Sequence, residues 1–391
     1  MTNPFTRGMA RATDLTRAGK LDEATALIQS LLMPNATPEH PTTTGDDTAI
    51  EGTFTRLDDA DPAPPKEPPA SSTARTATGK ARKGLGDTLR GLAAGGMPLR
   101  DAWASTAVAL PDGAQFLSLT HSGPQGSRDY RLYVPATKPE GPMPLIVMLH
   151  GCTQTPEDFA IGTGMNALAE EVGCLVAWPA QPSGANAQKC WNWFRPEDQG
   201  RDRGEPALIA GIVRDILREH PADDARVYAA GLSAGGAAAA ILGAVYPEIF
   251  AAVGVHSGLP VGSARDMPSA FAAMRSGAIG GGRYVAVPTI VFHGSADTTV
   301  HPGNGDAVLA QALRDKTGLT RGLVSGTSGG GRSFRQTRHD DAEGRSVAEL
   351  WEIEGAGHAW SGGQSGGSYT DPKGPEASRE MLRFFLQHHL S

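Results

Sequence analysis

A chain of 391 residues carrying 50 glycines, 29 prolines and a formal charge of -7 is long enough for one large domain or two ordinary ones. Its acidic and basic residues are mixed, which excludes the concentrated basic face of a nucleic-acid binder, and no apolar run approaches the roughly 18 residues that span a bilayer. Three cysteines, Cys152, Cys174 and Cys190, are too few for a disulfide scaffold and lack the spacing of a zinc or dithiol redox site.

The N-terminus, MTNPFTRGMARATDLTRAGK, is polar and has no apolar export core, so a cytoplasmic setting is expected. Within residues 1–34, Leu15, Leu21, Ala24, Leu27, Ile28, Leu31 and Leu32 recur at helical spacing. They predict a helix or helical pair that docks on the main domain, on a second copy, or on an apolar granule surface. Residues 35–82 are rich in Pro, Thr, Ser and Ala and poor in large apolar side chains, the composition of a flexible linker. A short amphipathic lead-in is expected over 83–112.

The compact domain is expected over 113–391. FLSLTHSG and SRDYRLYVPA read as an antiparallel pair, and LIVMLHG at 145–151 as a buried central strand. A helix over 158–171 follows, then the strand GCLVAWPA, the helix LIAGIVRDILREHPAD, the strand RVYAAG and the helix AAAAILGAVYPEIF. Further strands fall at AAVGVHSG, PTIVFHG and VAELWEIEG. Apolar strands alternating with helices predict an α/β fold, a mostly parallel central sheet covered by helices on both faces. Such a sheet handles ligands beyond the carboxyl ends of its strands.

The pattern G-x-S-x-G occurs three times, at 231–235, 326–330 and 363–367. Ser233 alone follows an apolar strand and precedes an Ala-rich helix, the setting that lifts a serine hydroxyl clear of a sheet. A serine nucleophile needs a base and an orienting acid, met in that fold in the chain order Ser, acid, His. Asp297 after PTIVFHG and His358 after WEIEG satisfy it. His256 precedes the acid and is read as structural or pocket-lining, His293 as a core or supporting histidine, and His301 as the best substitute base. Asp306 and Glu354 are the weaker acids. The oxyanion needs two N–H donors: Ala234, at the start of the helix after Ser233, and Cys152, in the loop after the first central parallel strand. Trp191, Asn192 and Trp193 in CWNWF, with Trp360, are candidates for lining the substrate pocket. The competing reading is that the aromatics anchor a long loop to the core. Whether Cys152 and Cys190 pair is open; a bond between them suits an oxidising compartment.

LHGCTQTPEDFA, CWNWF, YAAGLSAGGAAA, VFHGSADTTV, GAGHAWSGG and SYTDPKGPEASREMLRFF together resemble the esterase and polyhydroxybutyrate (PHB) depolymerase family of α/β-hydrolases. By that resemblance Ser233 is the nucleophile, Asp297 the acid, His358 the base, and Cys152 an oxyanion donor. The resemblance implies hydrolysis of hydroxyalkanoate polyester, oligoester or short-acyl ester bonds through an acyl-enzyme, without metal or organic cofactor. Acetyl xylan or feruloyl ester hydrolysis is the alternative substrate reading, and peptidase or thioesterase chemistry a more distant one. A granule-associated interaction protein is the non-enzymatic rival.

Overall fold

The computed structural model describes residues 108–278 and 285–391. The helical segment expected over 1–34, the linker over 35–82 and most of the lead-in over 83–112 lie outside them.

The described chain opens with a hairpin, β1 (Gln115–Gly123) and β2 (Gly126–Val134), paired antiparallel as FLSLTHSG and SRDYRLYV predict. β3 (Met143–Leu149) is buried along its whole length. Its side chains alternate between two apolar clusters: Leu145, Val147 and Leu149 face one, Ile146 and Met148 the other. This is why an unbroken apolar run forms a strand here, since both sheet faces are covered. Helices α1 (Pro156–Thr163) and α2 (Met165–Val172) follow. One helix was expected over 158–171, but Gly164 takes the left-handed φ of 63° and caps α1, so the chain turns and restarts.

Next come β4 (Leu175–Pro179), α3 (Gly204–Glu219), β5 (Ala222–Leu232), α4 (Ala234–Val245), β6 (Ala252–His256), α5 (Met267–Ser276), β7 (Thr289–Gly294) and α6 (Gly303–Leu313). A second antiparallel hairpin, β8 (Thr320–Thr327) and β9 (Ser333–Asp340), precedes β10 (Ser346–Ile353). The short pair β11 (Trp360–Ser361) and β12 (Thr370–Asp371) and helix α7 (Ala377–Phe385) complete the fold. The G-x-S-x-G match at 326–330 falls on the β8–β9 hairpin, and the match at 363–367 between β11 and β12.

Ten strands form one sheet in the order β1-β2-β4-β3-β5-β6-β7-β10-β9-β8. The six from β4 to β10 are mutually parallel, flanked on each side by an antiparallel hairpin. α3 and α4 pack with one apolar cluster; α1, α2 and α7 pack with the other. The expected α/β-hydrolase architecture is therefore the one observed. Its strand order reverses at β3: β4 lies on one side and β5 on the other. At such a switch point the loops leaving neighbouring strands diverge and open a crevice. The two loops here carry Cys152 and Ser233. Among the described residues, no helix is long and apolar enough to cross a membrane.

Candidate active site at the carboxyl edge of the sheet

The turn from β5 into α4 places Ser233 at φ 59° and ψ -118°, a conformation that costs energy for any residue with a Cβ. The neighbours must be glycine because the backbones nearly touch: a Cβ on Gly235 would lie 2.0 Å from the Leu149 carbonyl oxygen, and one on Gly231 2.4 Å from Gly235. The Ser233 N–H donates to the His256 carbonyl at 2.8 Å, which pins the turn to the next strand. Ala234 is the first residue of α4, where a backbone N–H has no acceptor within the helix and is free to meet an anion.

Asp297 lies just past β7, and His358 just past β10. The Asp297 Oδ1 accepts the N–H groups of Thr299 and Val300, each at 2.9 Å. Its Oδ2 stands 2.7 Å from His358 Nδ1. Burial pushes the Asp297 carboxyl up, but the His358 hydrogen bond, the charge of that ring and the Val300 amide outweigh it, so the group lies below the usual carboxylate value. With Nδ1 engaged, Nε2 is the nitrogen of His358 left to work on a substrate or nucleophile.

His256 joins these parts. Its carbonyl holds the Ser233 N–H, and its Nε2 accepts the N–H of Ser361 at 2.9 Å, three residues past His358. The ring stacks between Phe292 and Trp360. Burial first, then the nearby His293 and His358, drive its pKa well below the usual value. The ring is held neutral, and with the Ser361 N–H facing Nε2 its proton sits on Nδ1, towards Ser257 Oγ at 3.2 Å. His293 donates through Nε2 to the Val300 carbonyl at 2.9 Å and lies 3.6 Å from Asp297 Oδ2, in support of the acid's loop. His301 is exposed and accepts the Gly303 N–H at Nδ1. Asp306 is on α6, and Glu354 lies beyond β10.

The loop after β3 is fixed from several sides. His150 Nδ1 lies 2.8 Å from the Gly151 carbonyl and Gln154 N–H donates to the same oxygen at 3.3 Å, which sets the plane of the peptide that ends in the Cys152 N–H. Gln154 Oε1 takes up the Gly151 N–H at 2.9 Å, removing that donor from competition. Thr153 N–H donates to the Gln188 carbonyl at 2.7 Å. Cys152 is bonded to Cys190, so the pairing that the sequence left open is made.

Residues 128–338, more than half of the chain, match the family model described as Esterase PHB depolymerase. The chain belongs to this esterase family. It is 36% identical over 241 residues to poly(3-hydroxyalkanoate) depolymerase C of Paucimonas lemoignei, covering 58% of this chain and 57% of that protein. It is 30% identical over 251 residues to poly(3-hydroxybutyrate) depolymerase of Ralstonia pickettii, covering 59% and 50%. The match thus spans about half the length of these relatives. Among solved structures, an acetyl xylan esterase from Aspergillus awamori shares the fold with a TM-score of 0.52 at 20% identity, over 70% of this chain and 98% of that one.

For this member of the PHB depolymerase esterases, the aromatics of CWNWF expected to wall the pocket are placed inside the fold. Trp191 is 0% and Trp193 6% exposed, both within the apolar core. Trp191 Nε1 donates to the His150 carbonyl at 3.0 Å, so this indole supports the loop that carries Cys152. Asn192 is buried, and its backbone N–H and Nδ2 donate to the Glu205 carboxylate at 2.7 Å each. Trp360 is also buried, against Phe159 and His256, with Nε1 donating to Ser378. All four are buried, as Ser233 and Asp297 themselves are, because a polar-looking loop here is itself folded into the core. A cavity of about 630 Å³ opens beside the loop that carries Cys152, lined in part by Gln154, Gln181, Lys189 and Arg131; Ser233, Asp297 and His358 are not in its wall. Residues missed in the sequence are Gln154, Thr153 and Tyr369. Gln154 had a signal, a bulky amide two residues before α1 in a loop whose N–H groups need partners.

Proposed function

We propose that the chain is a serine carboxylic ester hydrolase acting on polyhydroxybutyrate or 3-hydroxyalkanoate oligomers. The observation that carries this is the 2.7 Å contact of Asp297 with His358 Nδ1, on the carboxyl edge that also holds Ser233 in its strained turn. His358, oriented by Asp297, takes the Ser233 proton as the hydroxyl attacks the ester carbonyl. Charge gathering on the carbonyl oxygen is met by the N–H groups of Ala234 and Cys152. The protonated His358 then gives its proton to the leaving alcohol, and activates water to release the acid from the acyl-enzyme. Each step is performed by the chain's own residues.

The 36% identity to a poly(3-hydroxyalkanoate) depolymerase supports a hydroxyacyl substrate. The test is product release from 3-hydroxybutyrate trimers and amorphous polyhydroxybutyrate beside acetyl- and feruloyl-sugar esters, with Ser233→Ala as the blank. Hydroxybutyrate from trimer and polymer supports the proposal; activity confined to sugar esters replaces its substrate; turnover by Ser233→Ala removes its mechanism. On this reading residues 1–34 seat the enzyme on a granule surface, and their deletion lowers polymer hydrolysis while sparing the trimer. A cytoplasmic setting would keep Cys152 and Cys190 reduced, whereas the bonded pair suits an oxidising compartment. Alkylation of free thiols in protein drawn from its native cells distinguishes the two.

A further inference from the structure

The tryptophans expected at the site are buried, and an exposed aromatic residue outside that set lies against the loop that carries Cys152. Tyr369 precedes β12. Its carbonyl accepts the N–H of Trp360 at 2.7 Å, two residues past His358, so its backbone is fixed to the loop that carries the base. Its hydroxyl lies 3.2 Å from Thr153 Oγ1, one residue past Cys152. The phenol therefore reaches from the base loop to the oxyanion loop.

Its environment is not that of a packing residue. Tyr369 is 47% exposed, yet its backbone holds a φ of 53°, unfavourable for a bulky side chain. Thr153, its partner, is likewise at φ 67°. Strain retained at an exposed ring gains nothing from core burial, and such strain concentrates where a site needs a group held in place. The hydrogen-bond directions are also defined. Thr153 Oγ1 donates its single proton to the Cys152 carbonyl at 2.6 Å, so the Tyr369 hydroxyl is the donor to Thr153. The segment is anchored further by Ser368 N–H donating to Asp158 Oδ1 at 2.9 Å and Gln154 Nε2 donating to the Ser368 carbonyl at 3.1 Å. Gln154 is the same side chain that holds the Gly151 N–H, so one amide braces both loops.

We propose that Tyr369 is a specificity-determining, substrate-contacting residue: its ring is the wall against which the aliphatic chain of the ester packs, and its hydroxyl, through Thr153, holds the peptide after Cys152 in place. This rests on the esterase reading above. The first role acts on binding of longer acyl or hydroxyacyl chains, the second on turnover of every ester.

The two roles separate by substitution. Tyr369→Gly removes the ring and fits a positive φ; Tyr369→Phe removes the hydroxyl alone. The full chain is assayed on 4-nitrophenyl acetate, 4-nitrophenyl butyrate and 3-hydroxybutyrate trimer, with Ser233→Ala as the blank and melting temperature as the check on folding. Tyr369→Gly raises KM about 10-fold for butyrate and trimer, and much less for acetate, as loss of apolar contact requires. Tyr369→Phe leaves KM unchanged and lowers kcat about 2- to 10-fold on all three, the worth of one hydrogen bond. Thr153→Val lowers kcat at least as much, and adding Tyr369→Phe to it costs nothing further. A folded Tyr369→Gly enzyme with wild-type KM on all three esters overturns the substrate contact, and a Tyr369→Phe enzyme with wild-type kcat overturns the hydroxyl's role. Turnover by Ser233→Ala is a separate result that overturns the esterase reading itself.

Discussion

Asp297→Asn isolates the electrostatic core of the proposed mechanism with little change of shape. Oδ1 of Asp297 accepts two backbone N–H groups, from Thr299 and Val300, so the asparagine must present its oxygen there; turned over, its NH₂ would face two donors. The NH₂ therefore occupies the Oδ2 position, 2.7 Å from His358 Nδ1. Two N–H groups cannot face each other at that distance, so His358 moves its proton to Nε2 and accepts at Nδ1. That tautomer cannot take the Ser233 proton. Loss of the base in this way lowers kcat about 10⁴-fold, or ~5 kcal/mol of barrier, while the backbone contacts of the loop remain. The assay is hydrolysis of 4-nitrophenyl butyrate near pH 8 with the melting temperature measured in parallel. Asp306→Asn, on the exposed side of α6, serves as the control and keeps its rate. A folded Asp297→Asn enzyme within about tenfold of wild type would refute the reasoning.

Three further outcomes follow from the supports of the site. Burial pushes the His150 imidazole down to about 4 from its ordinary 6.5, so the unfolded chain binds a proton that the folded chain refuses. Its contribution is whole above about pH 6.5 and falls by ~3 kcal/mol as pH drops towards 4; urea midpoints that do not fall between pH 6.5 and 5 would contradict this. Reducing the Cys152–Cys190 bond, which closes a span of 38 residues, costs roughly 4 kcal/mol by loop entropy and loosens an oxyanion donor, so dithiothreitol lowers both the unfolding midpoint and kcat; equal kcat in the oxidised and reduced enzymes would sink the link to the oxyanion. Trp191→Ala costs about 3–5 kcal/mol as a buried-aromatic deletion and leaves KM for short esters near wild type, where a large KM change at unchanged stability would restore the indole to the pocket wall.

What the sequence reveals and what it hides divides along physical lines. LIVMLHG reads correctly because a strand covered on both faces has no polar positions to disguise it. GLSAGG reads correctly because the glycines beside Ser233 are demanded by backbone so close that a Cβ there would fall 2.0–2.4 Å from it, a constraint written into residue type. CWNWF misleads for the converse reason. The polar residues that suggest an open loop, Asn192 and Glu205 with Gln181, satisfy one another inside the protein, so polarity there signals a buried network. The break at Gly164 is invisible to apolar periodicity, which continues across it. β8 is exposed along most of its length, and without one buried face an edge strand has no alternation to read. Tyr369 lies in a glycine- and serine-rich run, and long-range contacts that sequence does not show, the pairing of β11 with β12 and the bonds of Ser368 to Asp158 and Gln154, bring that run back to the site.

The supports of the site follow the demands of the chemistry. A nucleophile hydroxyl and an imidazole must exchange a proton, so the loops that carry them need a fixed separation, and His256 supplies it by gripping Ser233 N–H with its carbonyl and Ser361 N–H with its ring. A histidine suits that position because a neutral ring accepts a hydrogen bond while its faces stack on Phe292 and Trp360; burial keeps the ring uncharged, and the Ser361 N–H facing Nε2 puts its one proton on Nδ1, towards Ser257 Oγ. The oxyanion loop meets a different demand, the orientation of a single N–H, and both peptides flanking Cys152 are accordingly held: the first by His150 and Gln154, the second by Gln188 and Thr153. Preorganised donors stabilise developing charge without reorganising as it forms. The buried histidines and tryptophans around Ser233, Asp297 and His358 are thus the framework that sets proton direction and donor direction, and the contact with substrate falls to the exposed ring of Tyr369.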